Sequence, residues 1–169
     1  HISAQFLLFG REVVVFARSE EKKNRLIDRI RNEVMGPRIA EGYYTEEYRD
    51  KVMKNLSFII NDHSQVPKDI DLVSESVYED YDAKIAAWEA FAPYLPEHAI
   101  LTTDSSSLYP SKYADACGAP ERFMAMHFSM PTFYRNVMDI EPLERTRPDV
   151  VETVKELAKE LNMNPCVMQ

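Results

Sequence analysis

Between His98 and Asp139 the chain concentrates side chains suited to acid–base chemistry. Two β-like runs, Ala99-Ile100-Leu101-Thr102-Thr103 and Arg122-Phe123-Met124-Ala125-Met126, each end abruptly in polar, reactive groups. Asp104-Ser105-Ser106-Ser107 follows the first and His127 the second. A third run, Asn136-Val137-Met138-Asp139-Ile140, puts a carboxylate on an alternating, half-buried strand. Ligands of open α/β sheets bind beyond the carboxyl ends of the strands. Ser106, His127 and Asp139 then read as hydroxyl, acid/base and orienting carboxylate, the last holding the second imidazole nitrogen. Each has a plainer reading as well. A serine run after a strand caps the next helix, a lone histidine is structural, and an aspartate on an edge strand is solvated.

The elements that must position these groups alternate between strand and helix patterns. His1 to Gly10 reads as the body and end of a helix, with Gly10 as its left-handed cap. Glu12-Val13-Val14-Val15-Phe16 is a short β-branched run, expected to be a buried parallel strand. Ser19 caps the next helix, Ile27, Ile30 and Val34 form its apolar stripe, and Gly36 is its expected stop. Pro37 to Tyr44 is expected to be a turn or a break before a helix capped by Thr45. Strands follow at Ser57-Phe58-Ile59-Ile60 and Ile70-Asp71-Leu72-Val73-Ser74. Ile85, Trp88 and Leu95 mark a helical face, with Trp88 in the core. Thr146 and Asp149 look like a capping box for a helix with Val151, Val154, Ala158 and Leu161 on its apolar side. The alternation implies an α/β fold with a doubly wound, mainly parallel sheet.

At 169 residues the chain fits one domain. Its net charge of −8 argues against nucleic acid or an anionic membrane as partner. An anionic ligand therefore needs local positive groups. Cys117 and Cys166 lie far apart and form no metal pattern, so no metal is expected and free thiols in a reducing compartment are the default. No apolar run approaches the length of a membrane span.

Taken together the motifs resemble the nucleotide-binding domain of the L-3-hydroxyacyl-CoA dehydrogenases. Ala99 to Leu108 resembles that family's A-I-L-x-T-N-T-S-S-L, and His127-Phe128-Ser129-Met130-Pro131 its H-F-F-N-P. Asp139 falls at the family's acid twelve residues beyond the histidine. Upstream, Asp71-Leu72-Val73-Ser74-Glu75-Ser76-Val77-Tyr78-Glu79 resembles D-L-V-I-E-A-V-x-E, with Lys84 at the family's lysine. The resemblance spans nearly the whole chain.

It implies a Rossmann-like domain over residues 1–169 and hydride transfer between NAD(P) and a 3-hydroxyacyl-CoA. It also implies His127 as general base, Asp139 as its orienting acid, and Ser106 as the hydrogen-bond donor to the reacting oxygen. Glu79 and Lys84 match positions that contact the nucleotide, with a solvated charge pair at a helix start as the plainer alternative. The chain is expected to begin just past the family's first strand and glycine-rich turn, leaving the sheet one strand short, and to stop just before the helical C-terminal domain. On that reading the 169-residue fragment alone is inactive and the parent protein is a homodimer through the missing domain. A cytoplasmic location is expected, with the mitochondrial matrix left open.

Several positions depart from the family. Asp139 stands where the family has Glu and is shorter by about 1.5 Å, so the strand must lie closer or the pair is looser. Asp104 and Met130 stand where the family has Asn near the nicotinamide. At the end of the second strand, where NAD-dependent domains carry an acid, the sequence has Ala17, Arg18 and Ser19. Loss of the carboxylate removes repulsion toward a 2′-phosphate and Arg18 offers a planar fork for it, which favours NADP over NAD. Dehydrogenases of small free 3-hydroxy acids of the gulonate or carnitine type, and a catalytically lapsed nucleotide-binding relative, are the alternatives.

Overall fold

A computed structural model describes residues 1–168. The chain divides into two units, one formed by His1–Gln65 with Met130–Tyr134, the other by Val66–Ser129 with the chain from Arg135 onward. Among the described residues no helix is long and apolar enough to cross a membrane.

The first unit opens with α1 (Ile2–Leu8), which packs Ala4 and Leu7 inward and ends at Gly10, whose φ of 77° suits a residue without a Cβ. Strand β1 (Val13–Ala17) pairs in parallel with β2 (Leu56–Ile60), Val13 opposite Leu56 and Ala17 opposite Ile60. Between them α2 (Glu20–Asp28) starts at Ser19, whose Oγ accepts the Lys22 N–H at 3.2 Å. Glu20 and Glu21 lie in its first turn, where they suit the helix dipole.

Gly36 does not stop this helix. The chain runs on through a π-helical stretch, Arg29–Met35, into α3 (Gly36–Ala40). Gly36 has a helical φ of −54°. It precedes Pro37, and a Cβ at that position would meet the proline ring in the α conformation. Glycine here permits the helix to continue, and the chain turns instead at Gly42, φ 81°. Then α4 (Glu46–Val52) begins at Thr45, whose hydroxyl accepts the Tyr48 N–H at 3.1 Å. Ala4, Leu7, Ile30, Val34, Met35 and Val52 form this unit's core. Arg38 is only 8% exposed. Its guanidinium donates to Glu41 and to the Phe133 carbonyl, each at 2.8 Å, and lies over the rings of Tyr43 and Tyr134. That contact fixes the Met130–Tyr134 segment to α3.

The second unit is a five-stranded sheet in the order β3 (Leu72–Glu75), β4 (Ile100–Thr103), β5 (Phe123–Phe128), β6 (Val137–Pro142), β7 (Asn164–Val167). All neighbours are parallel except β5 and β6, which run antiparallel. Helix α5 (Tyr81–Phe91) is capped by Asp80, which accepts the Ala83 N–H at 3.0 Å. It buries Trp88, edge-on to Phe123 at 5.5 Å between ring centroids. Leu101, Tyr113 and Ala114 complete that core.

Helix α6 (Pro148–Glu160) turns Val150, Val154 and Ala158 inward, continued by Leu161, and leaves Val151 half-buried. Thr146 is not its cap. The Thr146 hydroxyl donates to the Phe123 carbonyl at 2.6 Å and accepts the Leu143 N–H at 2.8 Å, while Asp149 pairs with Arg147. Proline at the first helical position starts the helix without a side-chain cap. The architecture is α/β and Rossmann-like.

Candidate active site

His127 and Asp139 are direct partners across the antiparallel β5–β6 ladder, so their side chains share one face of the sheet. The His127 Nδ1 lies 3.4 Å from Asp139 Oδ2, both side chains a little over a quarter exposed. A usual N–H···O separation is about 2.9–3.0 Å. The pair is thus aligned but long, the looser arrangement that the shorter aspartate led one to expect. With Nδ1 turned to the acid, Nε2 is the nitrogen left for chemistry. Asp139 is not on an edge strand, since β7 pairs with β6 on its other side and places the exposed Cys166 opposite it.

Asp104, the first residue after β4, lies close by. Its Oδ1 accepts the Phe128 N–H at 3.1 Å and so ties the end of β4 to the residue beside His127. Burial pushes the Asp104 carboxyl up, against the opposing pull of that N–H and of the His127 and Lys84 charges.

The serines after Asp104 wrap a carboxylate. Glu79 Oε1 accepts the Ser105 hydroxyl at 2.6 Å, the Ser106 N–H at 3.1 Å, and the Ser107 N–H and hydroxyl at 3.0 and 3.1 Å. Ser106 gives only its backbone N–H to this cradle and is itself exposed, so its hydroxyl is available to a ligand. Burial alone would raise the Glu79 carboxyl. The Ser105 and Ser107 donors and the Lys84 charge outweigh it and hold the group at about 2. A carboxylate depressed in the folded state stabilises above its ordinary value of 4.5, and that contribution is lost as pH falls toward about 2. Glu79→Gln is therefore expected to flatten the loss of thermal stability between those pH values, measured as Tm against pH. An unchanged acid limb would contradict the assignment.

Lys84 is not a solvated charge. It is 1% exposed, with Nζ at 3.0 and 3.2 Å from the two Glu75 oxygens and 3.3 Å from Glu79 Oε2. Burial pulls its ammonium down, and the Glu75 and Glu79 carboxylates more than restore it, so it stays charged. Glu75, the last residue of β3, also accepts the Thr103 hydroxyl and the Val77 N–H, each at 2.6 Å. Sequence reasoning missed Glu75, Thr103 and Tyr113 as parts of the site. The available signal was a carboxylate closing an apolar strand nine residues before a lysine at the start of a helix.

In the first unit, β1 ends in buried Ala17, followed by exposed Arg18 and by Ser19, whose hydroxyl is committed to the α2 cap. Met130 is 38% exposed. The structure thus sets His127 on β5 opposite Asp139 on β6, and Ser106 one strand away, just past the carboxyl end of β4. Among the described residues no cluster of three His, Cys, Asp or Glu side chains is placed to hold a metal.

The chain matches, over residues 1–169, the family described as 3-hydroxyacyl-CoA dehydrogenase, NAD binding domain. It is 28% identical to the 3-hydroxyadipyl-CoA dehydrogenase of Escherichia coli K12 over 92% of this chain and 32% of that protein. It superimposes on the 3-hydroxybutyryl-CoA dehydrogenase of Escherichia coli K12 substr. MG1655 with a TM-score of 0.88 at 26% identity, covering 98% of this chain and 34% of that one. The (S)-3-hydroxybutyryl-CoA dehydrogenase of Ralstonia eutropha shares the fold, with a TM-score of 0.90 at 20% identity over 98% of this chain and 58% of that one. The chain spans under a third of the length of the first curated relatives it matches, 23% in one and 32% in another. With that match running over its whole length and the fold in agreement, the chain belongs to the 3-hydroxyacyl-CoA dehydrogenase family, as an NAD-binding domain of that family.

Proposed function

We propose that the protein containing this chain interconverts 3-hydroxyacyl-CoA and 3-oxoacyl-CoA with NAD(P). The observation that carries the reading is His127 on β5, its Nδ1 facing Asp139 on β6 at 3.4 Å, one strand from an exposed Ser106 past the end of β4. The dinucleotide, when bound, supplies the acceptor for the hydride leaving the substrate's third carbon. His127 takes the hydroxyl proton at Nε2 as the carbon–oxygen double bond forms, and returns it in the reverse direction. Asp139 stabilises the resulting imidazolium and fixes the ring. Ser106 donates to the reacting oxygen and orients it.

The residues present fit a dinucleotide at its adenosine end. Ala17 is small, stands where NAD-dependent domains carry an acid, and is followed directly by the exposed Arg18, whose guanidinium offers a fork of N–H donors to a phosphate. We assign Ala17, Arg18 and Ser19 to that end, with NADP preferred over NAD. Glu79, Lys84, Asp104 and Met130 belong to the cofactor side on the family pattern; Lys84, being buried, acts through Glu79. Phe128 favours the acyl-CoA branch over free hydroxy acids. A homodimer in the cytoplasm belongs to the same reading.

The test compares acetoacetyl-CoA with free 3-oxo acids in the full-length protein, each with NADH and NADPH. Faster reduction of acetoacetyl-CoA with NADPH, and loss of that preference in Arg18→Ala, is the expected result. An NADH preference would discard the Arg18 argument and keep the enzyme. A rate confined to free acids would move the protein to the other branch.

A further inference from the structure

The Ser105–Leu108 loop is held from below by two chains of polar contacts, and both begin at one residue. On the first, Glu75 fixes Lys84 Nζ through both carboxylate oxygens, and Lys84 meets Glu79, whose other oxygen collects the loop's donors. On the second, Glu75 accepts the Thr103 hydroxyl, Thr103 accepts the Tyr113 hydroxyl at 3.2 Å, and the Tyr113 phenol interacts with Ser105. The Glu75 backbone adds a third tie, since its carbonyl accepts the Asp104 N–H at 2.9 Å. A carboxylate 8% exposed is costly to bury unless its partners are fixed. Here the residues that satisfy it are those that set the loop.

We propose that Glu75 is a positioning residue for Ser106: through Lys84–Glu79 and Thr103–Tyr113 it fixes the loop that presents the Ser106 hydroxyl. Glu75 touches no substrate itself. The assignment of a role to Ser106 rests on the dehydrogenase reading above, whereas the placement of the loop does not.

Two measurements on the full-length protein separate these layers. The first is amide hydrogen exchange in Glu75→Gln, which keeps the size and removes the charge. The Ser106, Ser107 and Leu108 amides are expected to exchange roughly tenfold faster or more, while the β5 amides keep their protection. The second is a double-mutant cycle on kcat. Glu75→Gln is expected to lower kcat by roughly 10- to 100-fold with little change in KM, the size of a misplaced group. In a Ser106→Ala background the same change should cost less than about twofold, because the group being positioned is gone.

Thr103→Val breaks only one of the two chains and is the milder variant if Glu75→Gln does not fold. It should show the same pattern at smaller size. Unchanged exchange at Ser106–Leu108, acceleration spread evenly through the sheet, or kcat losses that multiply in the Ser106→Ala background would each overturn the proposal. A wild-type protein without turnover would overturn the dehydrogenase reading instead, and the exchange experiment would still decide the role of Glu75.

Discussion

Replacing His127 by alanine is expected to lower kcat for acetoacetyl-CoA reduction by roughly 10²–10⁴-fold, the usual worth of a positioned acid–base group. KM should change little, because His127 acts on a proton in transit and not on the bulk of the substrate. The structure sharpens this. Only Nε2 is left for the substrate, since Nδ1 faces Asp139 at 3.4 Å. Asp139→Asn keeps the shape, removes the charge that stabilises the imidazolium, and is expected to cost less than loss of the ring. Asp139→Glu adds the methylene that the longer family residue provides and should shorten the contact. An active His127→Ala enzyme, with kcat within about twofold of wild type, would remove His127 from the chemistry.

The second large effect is on stability. Lys84→Met is expected to destabilise the second unit by about 3–5 kcal/mol, the cost of leaving a buried charge without its partner. Glu75 is the group left behind, with only the Thr103 hydroxyl and the Val77 N–H to satisfy it. For a chain of this size that corresponds to a fall in Tm of roughly 6–20 °C. The fluorescence of Trp88 reports it within this chain, where Trp88 is the only tryptophan and sits in that unit's core, 2% exposed. Replacing Glu75 by Leu in the same protein should recover part of the loss, since an apolar pair of similar volume carries no buried charge. A Lys84→Met protein melting with wild type would show that the ion pair is not stabilising.

Much of this site was legible in the sequence. His127 and Asp139 stood out by residue type and family pattern. His127 was expected past the end of its strand, but it lies within β5. The antiparallel register that sets it opposite Asp139 is not given by spacing alone. Ser106 follows an apolar run closely enough to fall past its carboxyl end. The caps at Ser19 and Thr45 were readable because the capping hydrogen bond is local, spanning three residues.

What failed depended on partners distant in sequence or on steric detail. Gly36 looked like a stop because glycine usually is one, but the proline after it makes glycine the residue that lets the helix continue. Thr146 matched a capping box and instead bonds Phe123, twenty-three residues away. Glu75 stood within a quoted motif and was given no role; its burial shows only once Lys84 folds back from α5. Arg38 gave no signal at all, since its carbonyl partner, Phe133, is ninety-five residues on.

The central claim is that the protein carries hydride to the third carbon of an acyl-CoA. Its most direct measurement is isotopic. The full-length protein would be incubated with acetoacetyl-CoA and NADH or NADPH deuterated at both hydrogens of nicotinamide C4, and the product read by mass spectrometry. The account predicts 3-hydroxybutyryl-CoA heavier by one deuterium at its third carbon, formed by wild type and roughly 10²-fold or more slower by His127→Ala. Folded wild-type protein that yields no labelled 3-hydroxyacyl-CoA with either dinucleotide would contradict it.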